Sequence, residues 1–145
     1  MSASRPGPRR YVLDANALIG FFGGRQSVAE KVRRILAEAQ DTDAPVWMSA
    51  VNWGEVYYTE FRLHGESKAR EVYMNLPALP ILIIPADHER ATRAAALKQK
   101  HNIGYADAFA AELAMERNAS LVTADPEFSK LGKMLSLYPL PRHEK

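Results

Sequence analysis

Apolar residues in this chain fall in short runs, and the runs alternate with longer stretches of helical spacing. Tyr11-Val12-Leu13 is a short apolar run ending at Asp14 and predicts a buried strand. Ala15–Phe22 follows at helical spacing and stops at the breaker pair Gly23-Gly24. From Ser27, a candidate N-cap, Val28, Val32, Ile35 and Leu36 make one apolar stripe of a helix running to about Gln40. Asp41–Pro45 reads as a turn. Val46-Trp47-Met48 predicts a second strand, and Ser49 caps a helix that continues to about Leu63, with His64-Gly65 as its stop.

The second half repeats the alternation. Glu66–Leu76 is helical and ends at Pro77. Ile81–Ile84 is apolar, rich in β-branched residues and bounded by prolines, so it reads as a central strand. Asp87 opens a helix to about His101, which Asn102-Ile103-Gly104 breaks. Tyr105–Arg117 is a further helix, Ser120–Thr123 a fourth strand, and Met134–Tyr138 a possible fifth. Strands alternating with helices throughout predict an α/β fold, a parallel sheet of four or five strands between helical layers. Residues 11–138 read as one domain, with residues 1–10 a loose N-terminal arm and residues 139–145 a tail.

Composition narrows the options. A hydrophobic content of 47% over 145 residues is enough to bury one core. The chain has no cysteine, which excludes disulfides, thiol nucleophiles and cysteine-bound zinc, and fits a cytoplasmic protein. Met1–Arg10 lacks the apolar core of a secretory signal, and the aliphatic run Ile81–Ile84 is far too short to span a bilayer, so no membrane association is expected. The net charge is +2; were four carboxylates neutralised by cations, the remaining surface would carry about +6, which suits nucleic acid.

Four acids stand at element ends where chemistry is usual. In an open parallel sheet, ligands bind outside the carboxyl ends of the strands. Asp14 ends the first predicted strand, and Asp125 lies two residues after Thr123 at the end of the fourth. Asp107 is in the first turn of the helix opening near Tyr105, and Glu55 is in the second turn of the helix capped by Ser49. Each has an ordinary alternative: Asp14 as an N-cap, Asp107 as a complement to the helix dipole, Asp125-Pro126 as a turn, Glu55 as a surface acid. Brought together, they would need a counter-charge, because like carboxylates at close range do not all ionise. All-oxygen ligation favours Mg²⁺ or Mn²⁺ over zinc, and such ions serve phosphodiester chemistry. Asn16 and Thr123 have short polar side chains suited to orienting ligating carboxylates.

The motifs around these acids resemble those of the PIN domain family, in particular the VapC-type toxin ribonucleases of toxin–antitoxin pairs. Tyr11-Val12-Leu13-Asp14-Ala15-Asn16-Ala17-Leu18-Ile19 resembles the family's opening strand, with its terminal Asp and a small polar residue two positions on. Asn52-Trp53-Gly54-Glu55 matches its helical glutamate segment, and Gly104-Tyr105-Ala106-Asp107-Ala108 its third motif. Leu121-Val122-Thr123-Ala124-Asp125-Pro126-Glu127-Phe128 matches the fourth. The resemblance spans Tyr11 to about Leu137. It implies metal-dependent endonucleolytic cleavage of RNA, with Asp14, Asp107 and Asp125 as metal ligands and Glu55 holding a second ion or orienting water. It also implies a homodimer and inhibition by a small antitoxin.

Two other readings compete. A haloacid-dehalogenase-type phosphatase also places its Asp at the end of a first strand, but it requires a second Asp where this chain has Asn16. A non-catalytic PIN-like module that binds RNA or protein would not need the four acids this chain retains. Tyr105 could stack on a base or lie in the core, and Trp53 and Tyr57 form a helical stripe expected to pack in the core or against a second copy. Arg9 and Arg10 read as a solvated basic arm, and Arg25, Arg33 and Arg34 would contact phosphate only if they rim the crevice. His64, His88, His101 and His143 lack metal-ligand spacing.

Overall fold

A computed structural model describes residues 9–142. His143 and most of the expected N-terminal arm lie outside the described residues. Strand β1 (Tyr11–Leu13) is followed by helices α1 (Ala15–Phe22) and α2 (Gln26–Thr42). Strand β2 (Val46–Ser49) leads into α3 (Ala50–His64) and α4 (Glu66–Asn75), and a short 3₁₀ turn precedes β3 (Ile81–Ile84). Helices α5 (His88–His101) and α6 (Tyr105–Glu116) then precede β4 (Ser120–Thr123) and β5 (Leu137–Pro139).

The five strands form one parallel sheet in the order β3-β2-β1-β4-β5. Side chains alternate between faces along each strand. Tyr11, Leu13, Val46, Met48 and Val122 join α1 and α2 in one core. Val12 and Leu121 join α5, α6 and the segment after β4 in the other. Helix α6 buries every residue from Ala108 to Ala114, and its alanines let it lie close to the sheet. The buried acid in that run, Glu112, bonds Arg90 at 3.1 Å and Arg93 at 2.8 Å, which ties α5 onto α6.

Several elements differ from expectation. Strand β3 is an edge strand, not a central one: it pairs with β2 alone, and Leu82 is 51% exposed. Its unbroken apolar run resembles a doubly covered strand, but among the described residues no helix closes over the Leu82 side. Helix α2 starts at Gln26, after Arg25, and has no side-chain cap, so Ser27 is not its N-cap. Pro126–Met134 forms 3₁₀ turns kinked at Gly132 (φ 55°), which delays the fifth strand to Leu137–Pro139. Leu140, just beyond, is buried, and its N–H donates to the Thr123 carbonyl at 2.8 Å.

The α1–α2 pair depends on one glycine. A Cβ at Gly20 would stand 2.6 Å from Val28 Cγ1, and Val28 is fully buried and stiff about χ1. Alanine gains about 1 kcal/mol of helix propensity over glycine, whereas overpacking costs about 1–3 kcal/mol. Gly20→Ala is expected to destabilise the protein by about 1 kcal/mol, seen as a lower urea midpoint at unchanged slope. A higher midpoint would show that the two helices part without cost.

Candidate functional site

Chain direction across the sheet reverses between β1 and β4: the order runs outward from β1 through β2 to β3, then returns to β4 and β5. The crevice outside the carboxyl ends of those two strands is the topological switch point, where ligands bind in open α/β sheets. Asp14 and Thr123 sit there. The Asp14 N–H bonds the Val122 carbonyl at 3.0 Å, which carries the β1–β4 ladder to the edge of the crevice.

A small hydrogen-bond network fixes Asp14. Its Oδ1 accepts from the Ala15 N–H at 2.9 Å, so the acid does cap α1. Its Oδ2 accepts from Thr123 Oγ1 at 2.8 Å and from Asn16 Nδ2 at 3.0 Å. Thr123 Oγ1 in turn accepts from Asn16 Nδ2 at 3.2 Å and from the Asp125 N–H at 3.0 Å. Asn16 Oδ1 accepts from the Ala124 N–H at 3.0 Å. The threonine hydroxyl therefore uses its single proton and both lone pairs, and Asn16 uses both donors. A carboxylate offers about four lone-pair sites. Three are taken at Asp14, so capping leaves one free on Oδ1.

Asp107 stands differently. It occupies the first turn of α6, whose N-cap is Gly104. A Cβ on Gly104 would lie 3.2 Å from Asp107 Oδ2, so the glycine leaves room for the carboxylate. Among the described residues no side chain or N–H bonds that carboxylate. Burial, followed by the nearby charges of Asp14, Asp125, Glu55 and Glu127, pushes its pKa up to about 7. At Asp14 burial again raises the pKa, the Thr123 and Ala15 hydrogen bonds oppose it, and Glu55 and Asp125 add to it, giving about 6.

Asp125 caps the 3₁₀ segment, its Oδ1 accepting from the Glu127 N–H at 2.9 Å. This turn brings Glu127 alongside, and Asp107, Asp125 and Glu127 can each present an oxygen within 4.8 Å of one another. Glu127 is not among the acids singled out from the sequence; it joins them because the chain curls after β4, and the Asp-Pro pair hints only at a turn. Glu55, on α3, accepts from Asn52 Nδ2 at 3.2 Å. Asp14 and Glu55 lie outside the tightest trio, yet their charges act on Asp107. The four expected acids thus gather at one crevice, with Asn16 and Thr123 bonded to the first of them.

The donor set can be tested for a cation. It is all carboxylate, and among the described residues no Lys or Arg pairs with Asp14, Glu55, Asp107 or Asp125. Lys130 bonds Glu127 at 3.2 Å. Hard oxygen donors with unbalanced negative charge fit Mg²⁺ or Mn²⁺.

Other candidates lie elsewhere. Tyr105 is exposed, stacked edge-on against Phe109, and is not a core residue. Trp53 packs partly on the first core, while Tyr57, Phe61 and Tyr73 continue an aromatic cluster outward. Arg9 and Arg10 line a cavity of about 770 Å³ with Pro45, Trp47 and Ser120, at the amino edge of the sheet, opposite the acids. Arg25 is held by the Pro141 carbonyl at 3.1 Å, and Arg34 by Glu30 at 3.0 Å. His64 Nδ1 lies 2.9 Å from an oxygen of the buried Glu60.

The raised pKa values set a sign for stability against pH. Asp14 and Asp107 bind protons more tightly folded than unfolded, their pKa values rising from the ordinary 3.8 to about 6 and about 7. In cation-free protein their contribution favours the fold at acid pH and is lost as pH rises through those values. Asp107→Asn removes one such charge. Discounted for solvent screening at a half-open site, the variant should gain about 1 kcal/mol, or ~3 °C in Tm, at pH 8. The gain should shrink as pH falls and vanish only at roughly pH 3, below the unfolded value, where Asp107 is neutral folded and unfolded alike. Thermal melts in EDTA at both pH values decide it; an equal gain at both would place the effect in packing.

Comparison with known proteins supplies the family. Solved structures share the fold, three of them as follows. A VapBC complex from Rickettsia felis, bound to a DNA fragment from its promoter, matches with TM-score 0.69 at 17% identity, covering 90% of this chain and 98% of that one. A toxin–antitoxin complex from Klebsiella pneumoniae matches with TM-score 0.62 at 22% identity, covering 89% and 98%. A sarcin-ricin-loop-cleaving VapC toxin of Mycobacterium tuberculosis matches with TM-score 0.69 at 13% identity, covering 84% and 95%. No curated protein matches by sequence. Residues 11–134 match the PIN domain, and the chain, with its acids gathered at the switch point of a five-stranded parallel sheet, belongs to that family.

Proposed function

We propose that this PIN domain is a Mg²⁺- or Mn²⁺-dependent endoribonuclease, the toxin of a toxin–antitoxin pair, acting in the cytoplasm as a homodimer restrained by a small antitoxin. One observation carries the catalytic reading: carboxylates from four separate parts of the chain converge outside the carboxyl ends of the paired strands β1 and β4. Such an arrangement is unfavourable without a cation.

Asp14, Asp107 and Asp125 would hold the cation, with Glu127 close enough to share in it. A bound Mg²⁺ or Mn²⁺ neutralises phosphate oxygens and lowers the pKa of water. Asn16 and Thr123 keep Asp14 in one orientation, so its remaining lone pair faces the crevice on arrival of the phosphodiester. Glu55 holds a second ion or orients the attacking water. Exposed Tyr105, two residues before Asp107, is available to stack on a splayed base.

The partner reading rests on other features. Phe61, Leu63, Tyr73 and Met74 are exposed on the α3–α4 hairpin, an apolar surface that suits a protein partner. Two of the fold's neighbours are toxin–antitoxin complexes, and a third is a sarcin-ricin-loop-cleaving toxin. Among the described residues no helix is long and apolar enough to cross a membrane.

The test is cleavage of a mixed pool of structured and unstructured RNA by antitoxin-free protein. Cleavage with Mg²⁺ or Mn²⁺ should cease in EDTA, and Asp14→Asn, Asp107→Asn and Asp125→Asn should each lower the rate roughly 100-fold or more while the fold survives. Undiminished cutting in EDTA, or by Asp14→Asn, would refute the assignment. A folded, cation-loaded protein that binds RNA and never cuts it would be a binding module instead.

A further inference from the structure

Asn52 lies in the first turn of α3 and is fully buried. Its Nδ2 donates to Glu55 Oε1 at 3.2 Å, one turn along its own helix, and to the Ala106 carbonyl at 3.1 Å, on α6. Ala106 immediately precedes Asp107. Both neighbours are acceptors, so only the amide nitrogen can face them, and the side chain has one admissible orientation. The Oδ1 then points away from both and is buried with no partner among the described residues.

A buried acceptor without a partner costs stability, and native structures rarely keep one without a reason. An apolar side chain of similar volume would be free of that cost. At Asn52 both donors go to the walls of the carboxylate crevice: one to an acid, the other to the backbone beside a second acid. The bond to Glu55 alone would be an ordinary contact along a helix. The second bond makes the amide a strut between α3 and α6.

We infer that Asn52 is a positioning residue for cleavage. It fixes the Glu55 carboxylate relative to the start of α6, so that Glu55 faces Asp107 at a set spacing. Without the amide, Glu55 keeps its charge but regains its rotamer freedom. This inference rests on the reading of the crevice as a cation-dependent ribonuclease site.

A double-mutant cycle tests it. The parent, Asn52→Leu, Glu55→Gln and the double variant are compared by Mn²⁺ binding, read from the paramagnetic resonance of free Mn²⁺, and by single-turnover RNA cleavage. Melting curves establish that each is folded. Asn52→Leu should lower Mn²⁺ affinity or cleavage about 10–100-fold, and should lower neither by more than about twofold in the Glu55→Gln background. Should the leucine variant not fold, Asn52→Thr, which keeps one hydroxyl donor, is put through the same cycle with a smaller first loss. Losses that multiply in the double variant, or no loss from Asn52→Leu, overturn the inference while leaving the ribonuclease reading intact. A parent that neither binds Mn²⁺ nor cleaves RNA overturns both.

Discussion

Mutual repulsion among the crevice carboxylates is the constraint that the surrounding structure answers. Left to themselves, acids this near would swing apart into solvent. Each is held by a different device. Asp14 is pinned by a threonine, an asparagine and a helix N-terminus. Asp125 is pinned as the cap of a 3₁₀ turn, and Glu55 by the Asn52 amide. Asp107 has only the room that Gly104 leaves it and the rigidity of the helix it opens. The acid with the fewest bonds is also the one whose pKa rises furthest, to about 7.

The rigidity behind these devices comes from packing. Helix α6 is buried along most of its length between sheet and α5, and Glu112 with Arg90 and Arg93 locks that pair. Burial opposes the Arg90 charge, but Glu116 and Glu112 more than restore it, so the guanidinium stays ionised above its ordinary range. The Asp107 backbone therefore cannot drift without disturbing a core. On the other face, Gly20 and Val28 set how closely α1 packs on α2, and α1 begins one residue after Asp14. Core and crevice share the same short strands.

Much of this is legible in the residues. The short apolar runs Tyr11-Val12-Leu13 and Leu121-Val122 mark buried strands, and the strand–helix rhythm gives the sheet its parallel sense; how the strand residues divide between the two faces appears only in the structure. Ser49 caps α3 as expected, and Asp87, where the sequence opens a helix, caps α5. What escapes the sequence is whatever depends on distant neighbours. Ile81–Ile84 looks central because an apolar run carries no mark of how many strands lie beside it. Glu127 joins the acids through a 3₁₀ turn that local spacing does not encode. Asn52 reads as one polar position on a helix, and only the approach of α6 shows where its second donor goes.

The edges of the sheet have a consequence of their own. Strand β3 is four residues long and lies between Pro80 and Pro85; β5 is three residues long, ends at Pro139 and is soon followed by Pro141. Proline supplies no N–H, and short strands give little length to pair against. Neither edge is a good template for another chain. Growth of the sheet by lateral accretion, the usual route from a parallel sheet to a fibril, is therefore blunted at both ends. A second chain that docks on this protein therefore meets helix surfaces and loop edges more readily than a free strand.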